Sequence, residues 1–217
     1  MGRPRSFDEQ AVVATAGRQF RKTGYAGTSV DDVSAATGVL RGSLYAAFGN
    51  KRSLFLRTFA DYCKRTEPAL CSALSGPDDE AVERLRTYLL GAARFVLDDE
   101  ERLGCMATKL ATEFGGRDAE VTGRIDATFR VVEDSLAGCV EAAQRNGDLD
   151  PGADPRAIAR LIHATGRGLD VMARTGRGAA ELDAIAESAL ASLPFRPGRR
   201  PAPRANGSRG LVTYRFT

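Results

Sequence analysis

Between Gly27 and Phe55 the chain reads GTSVDDVSAATGVLRGSLYAAFGNKRSLF, with about three helix stop-and-start signals in fewer than thirty residues. An isolated helix shorter than roughly 12 residues is barely stable in water, so these pieces persist only by packing on one another and on neighbours. Ser29 and Asp32 have the spacing of a capping box, Val30 and Val33 supply an apolar face, and Gly38 stands where a left-handed C-terminal cap belongs. That predicts a short helix over about 29–37. After a three-residue turn, Ser43 to Phe48 continues helically as far as Gly49, with Leu44 and Phe48 on one face. Asn50 then caps a further helix carrying Leu54, Phe55 and Phe59. Upstream, Ser6 with Glu9 precedes Val12, Val13, Ala16 and Phe20, predicting a first helix over about 7–23 that Gly24 ends. Two short helices, a turn that begins with glycine and a longer first helix describe a helix-turn-helix, whose last helix is short enough to lie in a DNA major groove.

Beyond Cys63 the periodicity predicts only helices, over about 51–74, 79–98, 103–114, 118–145, 155–174 and 179–193. The breaks are SGPDD, GGRD, NGDLDPGADP and TGRG; Asp154 followed by Pro155 is an N-cap and first-turn pair, and Pro194 stops the last helix. Strand-like alternation enters only in the final GLVTYRFT. The fold class is therefore all-α. An N-terminal three-helix helix-turn-helix domain spans 1–50, a larger helical domain spans 51–193, and a disordered basic tail spans 194–217. The tail is rich in Arg, Pro and Gly without an acid, and either touches nucleic acid nonspecifically or is simply solvated.

Charge is segregated along the chain. Residues 1–65 carry 11 Lys/Arg against 5 Asp/Glu, residues 66–193 carry 14 against 23, and residues 194–217 carry 6 against none. A basic first third suits a phosphate-binding module, whereas the acidic middle would repel DNA and suits another task. No apolar run approaches the roughly 18 residues of a membrane helix, and the basic start lacks the apolar core of a secretory signal. A cytoplasmic location is the expectation, nucleoid-associated when bound to DNA. The four cysteines are widely spaced and His163 is the single histidine, so neither a zinc site nor any other metal or cofactor is expected. The sequence has no P-loop, GxGxxG, HExxH or GxSxG motif.

The motif GTSVDDVSAATGVLRGSLYAAFGNKRSLF resembles the DNA-binding domain of the tetracycline-repressor (TetR) family of bacterial transcription regulators. The residues that carry the likeness are Gly24-Tyr25, Thr28-Ser29, Gly38-Val39, Gly42-Ser43-Leu44-Tyr45, Phe48 and Lys51. The detailed match covers about residues 7–60, and the helical remainder fits the family's regulatory domain in length. The resemblance implies a DNA-binding set of Arg3, Arg5, Thr28, Ser29, Arg41, Gly42, Ser43, Leu44, Tyr45 and Lys51. Ser29, Ser43, Tyr45 and Lys51 would contact phosphates, with capping the other reading for Ser29 and packing for Tyr45. Arg41, at the front of the recognition helix, either bonds guanine O6 and N7 together or binds phosphate only. Arg3 and Arg5 are a minor-groove arm or merely a basic end.

In this family the last two helices of two protomers form a four-helix interface. Its apolar candidates here are Leu161, Ile162, Leu169, Leu182, Ile185 and Leu190, which could equally face the protomer's own core. Gly166 and Gly168 suggest close helix approach. A symmetric dimer implies a palindromic operator on double-stranded DNA. The family's effector pocket lies among helices four to eight, with Tyr88, Phe95, Met106, Phe129, His163 and Met172 as candidate lining or as ordinary core.

Cys105, at the start of a helix and close to Arg102, is placed where a thiolate is favoured. The stretch is similar to a TetR subgroup with Gly-Cys at the start of the sixth helix, some of whose members sense electrophiles or oxidants. Against this, cysteine is commonly an inert buried hydrophobe. Lys109, one turn on, would stabilise the thiolate, line the pocket or stand in solvent. The expectation is a homodimeric regulator, a repressor released by an unknown small-molecule effector or by modification of Cys105, and not an enzyme. The alternatives are a nonspecific nucleoid-type DNA binder and a thiol-dependent enzyme.

Overall fold

The computed structural model describes residues 7–202. Among them the chain forms α1 (Glu9–Thr23), α2 (Val30–Thr37), α3 (Arg41–Phe48), α4 (Lys51–Leu74), a 3-10 turn (Asp78–Glu80), α5 (Ala81–Leu97), α6 (Met106–Phe114), α7 (Ala119–Arg145), α8 (Pro155–Ala173) and α9 (Ala179–Ala191). The one β-bridge among them is the isolated pair Leu149 and Phe195, so the class is all-α as expected. Two compact units divide the chain, one of residues 1–65 with 106–125 and the other of residues 66–105 with 126–217. The boundary expected at 50/51 follows the start of α4. The compact division falls inside α4 instead, because the aromatic face of its first half belongs to the first unit's core.

In the first unit, α1 is capped by Asp8, whose carboxylate accepts from Gln10 N and Ala11 N, rather than by the expected Ser6, which lies outside the described residues. Ser29 caps α2 in the full reciprocal box with Asp32. Gly38 takes the left-handed conformation, φ 69°, that turns the chain from α2 toward α3. Val12, Ala16, Phe20, Val33, Leu44, Phe48, Leu54, Phe55 and Phe59 close the core. Phe55 meets Phe20 edge-on at 5.3 Å, Tyr25 at 4.7 Å and Phe114 of α6 at 5.6 Å.

The second unit packs α5, α8 and α9 around Leu85, Leu89, Val96, Ile158, Ile162, Leu169, Leu182 and Leu190, with Leu136 and Val140 of α7 in the same cluster. Gly166 permits the approach of α5, since a Cβ there would stand 3.1 Å from Tyr88 Cε1. Gly168 meets nothing within 4 Å. After α9 the chain stays docked as far as Ala202. Phe195 packs on the core, Asp150 N donates to Pro194 O (2.9 Å), and Arg86 donates to Ala202 O (2.8 Å) while pairing with Glu83 and Glu187. The expected free tail therefore starts no earlier than residue 203, and it lies outside the described residues together with the GLVTYRFT alternation.

Candidate nucleic-acid interface

The exposed face of α3 follows directly from which side the core takes. Leu44 and Phe48 point inward, leaving Arg41, Gly42, Ser43, Tyr45 and Ala46 on the open side, preceded by the exposed Leu40. The Arg41 guanidinium lies over the Tyr45 ring, 5.5 Å from its centroid. It donates to Asp31 Oδ2 at 3.1 Å and to Tyr45 Oη at 3.4 Å.

Two expected contact residues are not on this surface. Leu44 is core, because it holds α3 to the unit. Thr28 is 0% exposed, with Oγ1 donating to Gly24 O (2.6 Å) and lying 2.7 Å from Thr23 Oγ1, so its hydroxyl fastens the α1–α2 corner. Ser29 is exposed and caps α2; its N–H and hydroxyl hold the Asp32 carboxyl below its usual range. Lys51 Nζ donates to Tyr25 O (2.9 Å) and Thr28 O (3.0 Å) and lies 4.2 Å from the Tyr25 ring centroid. Its ammonium thus orders the corner that presents α2, a role sequence spacing did not suggest. Arg3 and Arg5 lie outside the described residues.

The same corner is gripped by α6, which no sequence signal linked to the head. Glu113 accepts from Tyr25 N (2.9 Å) and Ala26 N (2.7 Å). Lys109, expected as a thiolate partner or pocket wall, donates Nζ to Arg21 O (2.6 Å) and Lys22 O (2.9 Å), satisfying carbonyls of the last turn of α1. Arg52 of α4 binds Asp118 and Glu120 ahead of and within α7, and the pairing holds the Asp118 carboxyl down at about 2.

In the second unit a polar stripe runs along α8. Asp170, 1% exposed, accepts from Cys105 N (2.9 Å) and Arg174 Nη2 (2.6 Å). Cys105, half-buried, directly precedes α6, close to the expected helix start, after a turn with Arg102 and Gly104 at positive φ. Tyr88 is buried, and burial pushes its phenol up against the opposing pull of the nearby Arg167 charge. His163 stands edge-to-face on Phe129 at 4.9 Å with Nδ1 3.4 Å from Glu133 Oε1. Phe95 and Met172 are half-buried, while the fully buried Met106 belongs to the first unit.

Burial, and then the nearby Arg167 charge, bring His163 down to about 4. Glu133 Oε1 accepts from the neutral ring when the proton is on Nδ1. Between about 4 and the ordinary value near 6.5 the unfolded chain carries the extra proton, so stability falls as pH drops through that window, by up to about 3 kcal/mol. Urea midpoints at pH 7, 5.5 and 4.5 should therefore separate wild type from His163→Asn progressively less as the pH falls. A constant separation excludes this linkage.

The expected dimer residues divide by burial. Ile162, Leu169, Leu182 and Leu190 are interior and belong to the protomer's own core, and Ile185 is partly buried against it. Leu161 is 52% exposed.

These features agree with the comparisons. Residues 12–58 match the family model described as bacterial regulatory proteins, tetR family, and residues 81–190 match the tetracyclin repressor-like C-terminal domain. The HTH-type transcriptional repressor ComR of Escherichia coli strain K12 is 25% identical over 193 residues, covering 89% of this chain and 92% of that one. A TetR transcriptional regulator from Chloroflexus aurantiacus J-10-FL superposes with a TM-score of 0.74 at 26% identity over 83% of this chain and 91% of that one. The regulator CifR, in a cysteine mutant complexed with 26bp double-strand operator DNA, gives 0.73 at 28% identity over 89% of this chain and 100% of that one. The chain belongs to the TetR family and is a transcriptional regulator, not an enzyme. Among the described residues no helix is long and apolar enough to cross a membrane.

Proposed function

We propose that the protein is a homodimeric repressor that holds a palindromic operator through the open face of α3 and releases it when a small effector binds or Cys105 is modified. The observation that carries the DNA half is the exposed Arg41–Tyr45 face on a helix anchored by Leu44 and Phe48. Arg41 has donors suited to guanine O6 and N7, while Ser29, Ser43, Tyr45 and Lys51 add phosphate contacts around it.

The dimer is supported by one face of α8. Ala157, Leu161, Ala164, Gly168 and Val171 recur at four- and three-residue steps and are all exposed, Val171 by 45%. The open space at Gly168 allows a partner's helix to come close. An apolar stripe of this kind suits a two-fold interface, which matches two heads to two half-sites.

Release is supported by the polar stripe of buried Tyr88, His163 and Asp170 with half-buried Arg167 and Arg174, a costly arrangement for packing alone, into which the Cys105 backbone N–H donates. An effector needs only to favour the DNA-incompetent state.

The test is fluorescence anisotropy on DNA from beside the protein's own gene, with bulk competitor, before and after mild electrophile or hypochlorite treatment. Wild type should bind that DNA specifically and lose it on treatment, whereas Cys105→Ser should stay bound. Equal loss in both proteins removes Cys105 as the sensor. Equal affinity for the chosen DNA and for competitor, across a genome-wide selection as well, removes the operator reading.

A further inference from the structure

On the open side of the head, Arg41 does not project alone. Its Nη1 donates to both carboxylate oxygens of Asp31, at 3.3 and 3.1 Å, and its Nη2 donates to Tyr45 Oη at 3.4 Å, with the guanidinium lying over the Tyr45 ring. Asp31 belongs to α2 and Tyr45 to α3, so the arginine is held between the two helices of the motif. Arg41 and Asp31 side chains are 57% and 70% exposed, and an ion pair so exposed contributes little to folding. Nor is Asp31 the cap of α2, since Ser29 and Asp32 fill that role.

We infer that Asp31 is a positioning residue for DNA specificity, which with Tyr45 fixes the Arg41 guanidinium for two-point recognition of one guanine. The inference rests on the reading that Arg41 meets a base edge. An arginine has five N–H donors. Asp31 occupies Nη1 through both of its oxygens and Tyr45 takes one N–H of Nη2, so the second N–H of Nη2 and Nε–H are left for the two acceptors of a guanine. A loose arginine must be ordered at the moment of binding and can settle on any nearby phosphate; a held one has lost part of that freedom already. The carboxylate adds a second effect of opposite sign. Its negative charge near the phosphate backbone weakens binding to every sequence, so it gives up general affinity while raising discrimination.

That combination separates positioning from simple charge. A randomised duplex library selected with the wild-type protein supplies the preferred site, and anisotropy on its single-base-pair variants gives the discrimination at each position. Arg41→Ala identifies the base pair that Arg41 reads. Asp31→Asn should lose discrimination at that same base pair by about 3-fold or more, set against the roughly 5- to 150-fold that a good bidentate contact provides. It should also bind bulk DNA about 2-fold or more tightly, with a steeper salt dependence. Asp31→Glu, which keeps the carboxylate, should restore part of the lost discrimination, and thermal melting should show all these proteins folded.

If Arg41→Ala alters no base preference, the base-reading assignment fails and the positioning role with it. Should Arg41→Ala alter one base pair while Asp31→Asn strengthens all sequences equally, the base reading stands and the positioning role is overturned. Loss of discrimination in Asp31→Asn at a different base pair is equally fatal, because it would make Asp31 itself a base contact, as an acceptor from cytosine N4.

Discussion

Asp170→Ala is expected to destabilise the second unit by about 3 kcal/mol, the lower end for breaking a buried charge pair. The carboxylate is 1% exposed and satisfies two donors, Cys105 N at 2.9 Å and Arg174 Nη2 at 2.6 Å. Alanine would leave the Cys105 N–H without its acceptor and Arg174 Nη2 with only Cys105 O at 3.5 Å, and the cost of orphaned partners exceeds that of the absent bond. Arg174 is a quarter exposed, so water can recover part of its loss, which is why the lower end applies. The surrounding backbone leaves little room to repair the site. Gly104 has φ 64°, and a Cβ on it would stand 2.7 Å from Asp170 Oδ1 and 2.5 Å from Arg174 Nη2. The turn is further held by Arg102 Nη1 on Ala173 O at 3.3 Å.

Asp170→Asn keeps an acceptor for Cys105 N while giving up the charge on Arg174, and should cost less than half as much. Urea unfolding followed by circular dichroism reads both, with the midpoint displaced and the slope unchanged if the fold survives. Equal stability of wild type and Asp170→Ala would mean that water enters freely, and that the stripe along α8 is a wet channel rather than a buried network.

The helices were legible because each carries local punctuation. Ser29 with Asp32, Gly38, Asn50 and Asp154-Pro155 all act within one turn of themselves, and the structure uses each as spacing suggested: Asn50 Oδ1 accepts from Ser53 N at 2.9 Å, and Asp154 from Arg156 N at 2.9 Å. Where several polar residues crowd one helix start, spacing could not choose among them, so Asp8 caps α1 although Ser6 fits the motif as well. Periodicity also could not say which neighbour an apolar face meets. The same spacing made Ile162 and Leu161 candidate interface residues, and only folding separated the buried one from the exposed one.

The least legible part was partnership across long stretches of chain. Glu113 meets Tyr25 and Ala26, Lys109 meets Arg21 and Lys22, and Arg52 meets Asp118, with 66 to 88 residues between partners. A charged residue on an amphipathic helix carries no mark of the carbonyl or amide it will find. For the same reason Thr28 looked like a surface hydroxyl, yet its partners Gly24 O and Thr23 Oγ1 bury it completely.

The second large effect belongs to that hidden partnership. Glu113→Ala is expected to weaken DNA binding about 5- to 10-fold for all sequences alike, together with a lower melting temperature. Its two carboxylate oxygens each take one of two consecutive backbone N–H groups, at Tyr25 and Ala26, and hydrogen bonds to a charged acceptor contribute about 1.5–3 kcal/mol. Those amides begin the corner whose carbonyls at Tyr25 and Thr28 receive Lys51 and whose end is the N-cap of α2. Loosening the corner lets the two helices of the motif lose their mutual placement, and a fraction of heads then stops being competent to bind. Apparent affinity falls by that fraction, whatever the base sequence. Glu113→Gln offers one oxygen where two are needed and turns an amide NH₂ toward the other N–H, so it should rescue poorly. Lys109→Ala releases the carbonyls of Arg21 and Lys22, one turn earlier. If the corner moves as a unit, the double variant should lose less than the product of the two single effects, since either loss already frees the same element. Multiplicative losses would instead make the two grips independent, and a change in base preference in Glu113→Ala would show that the corner sets the orientation of α3 rather than its availability.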